Sequence, residues 1–401
     1  MGRIHGAFIT VPLYTLVILL LGAYMAAAVL AVHVVVVPLV FKYSKIFQRS
    51  LIFGNFVQWP LRIDHEDPSS SGIDGARNLR VEFQSKIDHC AIKLGVWHIL
   101  PQTVHDRLSE AFERTDKEEL HRMLDDELVN SKTPIVLYCH GNSNSRGAAH
   151  RIKMYKFLKK MEFHIIAFDY RGYGDSTNVY PSELGVVEDA LMVYEWLLNT
   201  LSRGRVPPPV YVWGHSLGTG ITSHLLGNLD VLSRRLLGRP PLPLPQALVL
   251  EAPFNNLADE VKHHPAARVS LVNWLPYFDL TFVAPFRVAP QHTFRSDEYL
   301  SRVKTLPVLI LHARDDTIVP FEVGVQLYDD VLKSRSSGGA PVVMHAFDES
   351  QSLGHKYICD ADNLEEVFRW VAGSGWMRKA EDRVLWRSLE EVYVQQWMII
   401  G

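Results

Sequence analysis

Apolar and polar positions divide this chain into unlike stretches. Between Arg3 and Lys42 there is no Asp, Glu, Lys or Arg, and Gly6 to Phe41 forms one apolar run. A bilayer core is crossed by about 20 apolar helical residues. The run therefore predicts one spanning helix and is too short for two spans plus a turn. A cleavable signal has an apolar region of only about 7–15 residues, so an uncleaved anchor is expected. Lys42 to Arg62 then mixes basic residues with Phe47, Phe53, Phe56 and Trp59, side chains that suit a headgroup layer. Pro68 to Gly72, Pro-Ser-Ser-Ser-Gly, reads as a linker.

Further on the period changes. Leu79 to Gln84 and Ala91 to Ile99 are extended runs that predict an opening antiparallel pair. Asp106 to Asn130 is acidic and helical, a solvated surface element. Short β-branched or aromatic runs follow at Ile135 to Cys139, His164 to Phe168, Val210 to Trp213, Ala247 to Leu250, Val308 to Leu311 and Val342 to Met344. Helical spacing lies between them, as in Val187, Ala190, Leu191, Tyr194, Leu197 and Leu198. Strands alternating with helices predict an α/β fold, a mostly parallel sheet with helices on both faces. The divisions expected are an anchor over 1–42, a juxtamembrane segment and linker over 43–78, a catalytic body over 79–375 and a tail over 376–401.

Composition narrows the function. A net charge of −3 leaves no electrostatic footprint for nucleic acid. Three scattered cysteines provide neither a disulfide framework nor a zinc site, and no metal or organic cofactor is implied. The partners expected are a lipid substrate and the bilayer around the anchor; oligomeric state is not readable.

The sharpest chemical signal is Gly214-His215-Ser216-Leu217-Gly218, placed between a strand-like run and the helix-like Thr219 to Leu226. Glycines flanking a tight strand-to-helix turn push the serine hydroxyl out over the sheet edge, the nucleophile elbow of the α/β-hydrolase fold. Such a serine needs a base, itself oriented by a carboxylate, and in this fold the order is Ser, Asp, His. The run Val308 to Leu311 leads into His312-Ala313-Arg314-Asp315-Asp316-Thr317-Ile318-Val319-Pro320. The spacing to Val-Pro selects Asp316 as the acid, with neighbouring Asp315 the competing choice. His345 lies too close to the Val342 to Met344 strand, whereas His355 follows it on a loop and is the expected base. Tyr138-Cys139-His140-Gly141-Asn142 ends a strand, so the backbone N–H groups of Asn142 and Leu217 are the expected oxyanion donors. Asp169-Tyr170-Arg171-Gly172-Tyr173-Gly174 reads as a loop lock with no catalytic part.

A lid is expected near 254–305, where Leu271, Trp274, Leu275, Tyr277, Phe278, Phe282, Val283 and Phe286 form an apolar, aromatic set. That set fits either an acyl chain entering from the bilayer or a satellite core packed on the sheet. Lys262, His263, His264, Arg268 and Lys356 are either headgroup contacts or solvated charges, the latter preferred.

Together these motifs resemble the α/β-hydrolase domain-containing 12 group. The likeness also takes in Leu94-Gly95-Val96-Trp97-His98, Leu250-Glu251-Ala252-Pro253-Phe254 and His355-Lys356-Tyr357. It implies a membrane lipase acting on lysophosphatidylserine and monoacylglycerols, with Ser216, Asp316 and His355 as its triad. It also implies a single-pass protein of the endoplasmic reticulum with a luminal catalytic body. Lys42, Lys45 and Arg49 after the span, against Arg3 before it, point instead to a cytosolic body. Two readings compete with the lipase: a protein depalmitoylase using the same residues on a thioester, and a non-catalytic membrane scaffold.

Overall fold

The computed structural model describes residues 2–60, 62–264, 273–288, 292–335 and 338–372. The tail over 376–401, and Arg268 and Leu271 of the expected lid, lie outside the described residues. The strands are β1 (Ala76–Gln84), β2 (Ala91–Ile99), β3 (Ile135–Cys139), β4 (His164–Phe168), β5 (Val210–His215), β6 (Ala247–Glu251), β7 (Val308–Ala313) and β8 (Val342–Phe347). The helices that matter here are α1 (Gly2–Leu21), α2 (Ala23–Tyr43), α3 (Lys45–Phe53), α4 (Gln102–Arg114), α5 (Lys117–Val129) and α6 (Ala149–Lys160). They continue with α7 (Glu183–Leu201), α8 (Leu217–Gly227), α9 (Leu257–His263), α10 (Ser296–Arg302), α11 (Phe321–Ser334) and α12 (Leu364–Ala372).

All eight strands join one sheet in the order β1-β2-β4-β3-β5-β6-β7-β8. β1 pairs β2, and β2 pairs β4, antiparallel; from β4 to β8 every pairing is parallel. The inner strands are apolar at nearly every position because both faces are covered. Alternate residues face opposite ways. Ile166 and Phe168 thus join Leu137, Val212, Leu250 and Ile310 in a core with the inner faces of α7, α8 and α11. Ile165 and Ala167 join Val136, Tyr138, Trp213 and Leu309 in a second core closed by α6 and α12. The antiparallel opening pair and the doubly covered parallel sheet are as the sequence predicts. The acidic stretch is two helices, α4 and α5, because Asp116 interrupts it: its carboxylate accepts from the Glu118 and Glu119 amides and caps α5.

The apolar N-terminal run holds the one span expected, preceded by a separate helix. Gly22, at φ 80°, separates α1 from α2, a backbone setting that glycine adopts without a side-chain clash. The two helices then lie against each other, with the Tyr14 and His33 rings stacked 5.7 Å apart. Among the described residues one helix, Ala23–Tyr43, is long and apolar enough to cross a membrane, with mean hydropathy 2.4.

Residues 43–78 are also less of a tether than expected. Ile52 and Phe53 of α3 are buried in the first core, and the polar run at Pro68 is a 3₁₀ turn with Pro68 and Ile73 buried. Of the lid set, Phe278, Phe282, Val283 and Phe286 belong to that same core rather than a separate one. Phe41 of α2 packs against them, 4.8 Å from the Phe282 ring centroid, and the Tyr277 hydroxyl donates to the Val34 carbonyl. The end of the apolar helix is therefore packed against Tyr277, Phe282 and Phe286.

Candidate active site

Parallel α/β sheets place their chemistry at the carboxyl ends of the strands. β5 delivers Ser216 there at φ 52° and ψ −119°, and α8 begins at the next residue. The Ser216 amide donates to the Glu251 carbonyl at 2.9 Å, and its own carbonyl accepts from the Thr219 amide at 2.8 Å. A β-carbon at Gly218 would collide with the Cys139 carbonyl, and one at Gly214 would lie 2.6 Å from Thr222 Oγ1. Both flanking positions therefore demand glycine.

The hydroxyl points into a hydrogen-bonded chain. His355 Nε2 lies 2.9 Å from Ser216 Oγ, and His355 Nδ1 lies 2.7 Å from Asp316 Oδ2. The second carboxylate oxygen of Asp316 accepts from the Ile318 and Val319 amides at 2.8 and 3.0 Å. Burial pushes the Asp316 carboxyl upward, but hydrogen bonding to His312 and His355 outweighs it and holds the group well below the usual carboxylate range. An ionised Asp316 fixes the proton on Nδ1 and leaves Nε2 free to accept the serine proton.

Asp315 and His345 fall elsewhere. Asp315 Oδ2 accepts from the Gly354 amide at 2.9 Å, so it holds the loop carrying His355 rather than its ring. His345 lies on β8 with its Nε2 3.1 Å from Asn363 Nδ2. His215, the residue before Ser216, grips the same loop from the other side. Its Nε2 donates to the His355 carbonyl at 3.0 Å, and burial lowers its pKa well below the usual value, so the ring is neutral. The signal available was a histidine covalently next to the serine, which no spacing rule weighs.

Asn142 lies on the loop after β3. The buried Arg151 guanidinium gathers that loop, donating to the carbonyls of Gly141 at 2.9 Å, Asn142 at 3.1 Å and Ser143 at 2.9 Å. Across a planar trans peptide the Asn142 N–H points opposite to the Gly141 carbonyl, and so away from Arg151. The loop passes close to the serine: a β-carbon on Gly141 would be 3.1 Å from Ser216 Cβ. Leu217, the other expected donor, is the first residue of α8, where N–H groups lack helical partners.

Beneath the loop, buried Asp169 accepts from the Arg146 amide at 2.6 Å and pairs with the Arg146 side chain, with His140 Nε2 3.2 Å away. Tyr170 donates to the His140 carbonyl at 3.0 Å, and Arg171 is bound by Asp189, Glu188 and Asp88. The loop-lock residues thus support the strand end that carries Asn142. Glu251, part of the Leu250 to Phe254 motif, has no role assigned by sequence. Its carboxyl accepts from Trp213 Nε1 at 2.8 Å. Burial drives it up to about 8, against the Trp213 bond and with the Asp316 charge. Of the basic residues considered for a headgroup, Lys356 is exposed beside His355, and His263 Nδ1 donates to the Asp259 carbonyl at 2.8 Å. Among the described residues no cluster of three or more His, Cys, Asp or Glu is placed to hold a metal.

Known proteins resemble this chain at the level of fold and of family. The α/β hydrolase fold family matches residues 134–299. An α-β hydrolase from Vibrio vulnificus superposes with a TM-score of 0.53 at 16% identity, over 82% of this chain and 92% of its own, and shares the fold. Lysophosphatidylserine lipase ABHD12 from Danio rerio is 35% identical over 88% of this chain and 81% of its own length. The protein of that name from Gallus gallus is 34% identical, over 93% and 86%. The chain belongs to the ABHD12 family. Human Protein ABHD12B also matches, at 33% identity over 81% of this chain and 80% of its own. The ABHD12 relatives align well beyond the part matched by the general fold family.

Two outcomes follow from these contacts. Asp316→Asn should lower kcat on a soluble ester about 10⁴-fold by holding His355 in the wrong tautomer. Asp315→Asn keeps an acceptor for Gly354 and lowers it only about tenfold. Equal losses would contradict the division of labour between the two carboxylates. Glu251 binds its proton more tightly folded than unfolded, so wild type loses stability as pH rises from its unfolded pKa toward about 8. Glu251→Gln removes this penalty. Denaturation midpoints of variant and wild type should therefore diverge in the variant's favour from pH 5 to pH 8.

Proposed function

We propose that this protein is a membrane-anchored serine hydrolase that cleaves the acyl ester of lysophospholipids, lysophosphatidylserine among them, and of monoacylglycerols. The observation that carries the reading is the continuous chain from Ser216 Oγ through the His355 ring to the Asp316 carboxylate, at 2.9 and 2.7 Å. Family membership narrows the ester, since the ABHD12 relatives carry the name lysophosphatidylserine lipase.

In this mechanism His355 Nε2 takes the Ser216 proton as the oxygen attacks the ester carbonyl. The carbonyl becomes a tetrahedral oxyanion facing the amides of Leu217 and Asn142, each such donor contributing about 3–4 kcal/mol. The imidazolium, stabilised by Asp316, returns the proton to the departing glycerol oxygen, and the acyl group stays on Ser216. Water, deprotonated by the same nitrogen, then releases the fatty acid. We also infer a single-pass protein of the endoplasmic reticulum with a luminal body, which is what the motif resemblance implies; Lys42, Lys45 and Arg49 beside the span favour the opposite side. A cytosolic body would suit a depalmitoylase, which makes thioesters the comparison to run.

Fatty-acid release should be measured from lysophospholipids, monoacylglycerols and acyl thioesters, with membranes carrying wild type or Ser216→Ala. Wild type should release acid from lysophosphatidylserine and monoacylglycerol, and the variant from neither. Turnover of thioesters alone would replace the lipase with a depalmitoylase, and inactivity on every substrate would leave a scaffold.

A further inference from the structure

Helix α3 has two faces of unlike character. Gln48, Ile52 and Phe53 point into the body and are buried. On the other side Ile46 is 66% and Leu51 54% exposed, with Phe47 between them. The chain continues to Phe56, Val57 and Trp59, 69%, 44% and 74% exposed, and no charged residue lies among these six. A water-facing helix normally sets charges there.

What covers this face follows from where α3 begins. Tyr43 ends the apolar helix, and α3 starts after the single residue Ser44, whose extended ψ of 98° turns the chain and whose hydroxyl accepts from the Phe47 amide. One residue spans less than about 4 Å, so α3 cannot leave the bilayer surface if α2 crosses it. The bend is held: Gln48 Nε2 donates to the Phe41 and Lys42 carbonyls at 2.8 and 3.1 Å, and its Oε1 accepts from His292 of the lid at 3.0 Å.

The inner face reaches the reacting centre. The Phe53 carbonyl accepts from the Ser143 amide at 3.0 Å, the Val57 carbonyl from the Asn144 amide at 2.8 Å, and the Ile52 carbonyl from Asn142 Nδ2 at 3.4 Å. Asn144 Oδ1 accepts from the Trp59 amide at 2.6 Å. Loop 142–144, which carries the proposed oxyanion donor, is thus hydrogen-bonded directly to the segment bearing the exposed apolar face.

We propose that α3 and the Phe56–Trp59 loop rest in the lipid interface beside the span and, through their inner face, hold the oxyanion loop in register with a membrane-resident substrate. The partner is the bilayer itself, as for interfacial helices that bury an apolar face at the headgroup boundary. The placement rests on α2 crossing the membrane, and its consequence for turnover rests on the lipase reading.

The test uses the full chain reconstituted in phosphatidylcholine vesicles containing phosphatidylserine, with Cys90 and Cys359 changed to Ser. A nitroxide is attached singly through Phe47→Cys, Leu51→Cys or Phe56→Cys, or at the remote α4 through Arg107→Cys. Collision with oxygen should exceed collision with a water-soluble nickel chelate at the first three sites, and the reverse should hold at residue 107. An aqueous signature at 47, 51 and 56, or shielding from both reagents as under a second copy or a protein partner, would overturn the proposal. In the same vesicles Leu51→Glu and Phe56→Glu should lower lysolipid hydrolysis about tenfold while leaving short-chain ester hydrolysis near wild type. Unchanged lysolipid turnover, or an equal loss on both substrates, would overturn the coupling. Wild type that hydrolyses the short ester but no lysolipid would refute the lipase reading instead, with the collision data still deciding the placement.

Discussion

Ser216 occupies a positive-φ conformation that an L side chain rarely adopts, held by bonds at both ends of its own peptide. Such a conformation costs about 1–3 kcal/mol and survives only where its surroundings over-determine it. Here they do. β5 is locked between β3 and β6 in parallel register, the β6 carbonyl of Glu251 receives the Ser216 amide, and α8 starts at once so that its first turn closes on the Ser216 carbonyl. The flanking glycines let α8 approach the ends of β3 and β5 closely. The covered parallel sheet can therefore be seen as the support for one strained turn, and the serine oxygen's aim follows from it.

The base has to meet that fixed oxygen from a distant loop, and the structure solves this with short polar struts rather than apolar packing. Asp315 binds the Gly354 amide, His215 binds the His355 carbonyl, and Asp316 binds the His355 ring. Two of the three come from the acid's own loop, and the third adjoins the nucleophile. Loop 141–145 is treated in the same way by Arg151 on one side and by α3 on the other. Buried charges are strongly destabilising unless paired, and those under the site are paired: Arg146 with Asp169 and Asp175, Arg171 with Asp189 and Glu188.

The strand-helix alternation and the serine motif were readable because each has a local signature, apolar period in one case and invariant turn chemistry in the other. Asp316 was separable from Asp315 by its spacing to Val319-Pro320, and His355 by its place after β8. What was not readable depends on three-dimensional proximity. His215 and Glu251 look like ordinary strand-end residues until the sheet sets them beside His355 and Asp316. The break at Gly22 lay hidden inside an apolar run whose composition barely changes across it. Residues 43–78 read as a juxtamembrane segment and linker because Phe53 and Phe56 look alike in sequence, although one is fully buried in the body and the other mostly exposed. The aromatics over 278–286 likewise needed Phe41, more than 200 residues away in the chain, before they could be seen as part of the main core.

An elbow that presents one activated serine should be open to covalent labelling at that residue. Full-length protein in membranes would be treated with a fluorophosphonate, digested, and the adduct located by peptide mass spectrometry. Modification of Ser216 is expected, with labelling slowed by several orders of magnitude when His355 is changed to Ala. An adduct on a different residue, or labelling of Ser216 at an unchanged rate without His355, would contradict it.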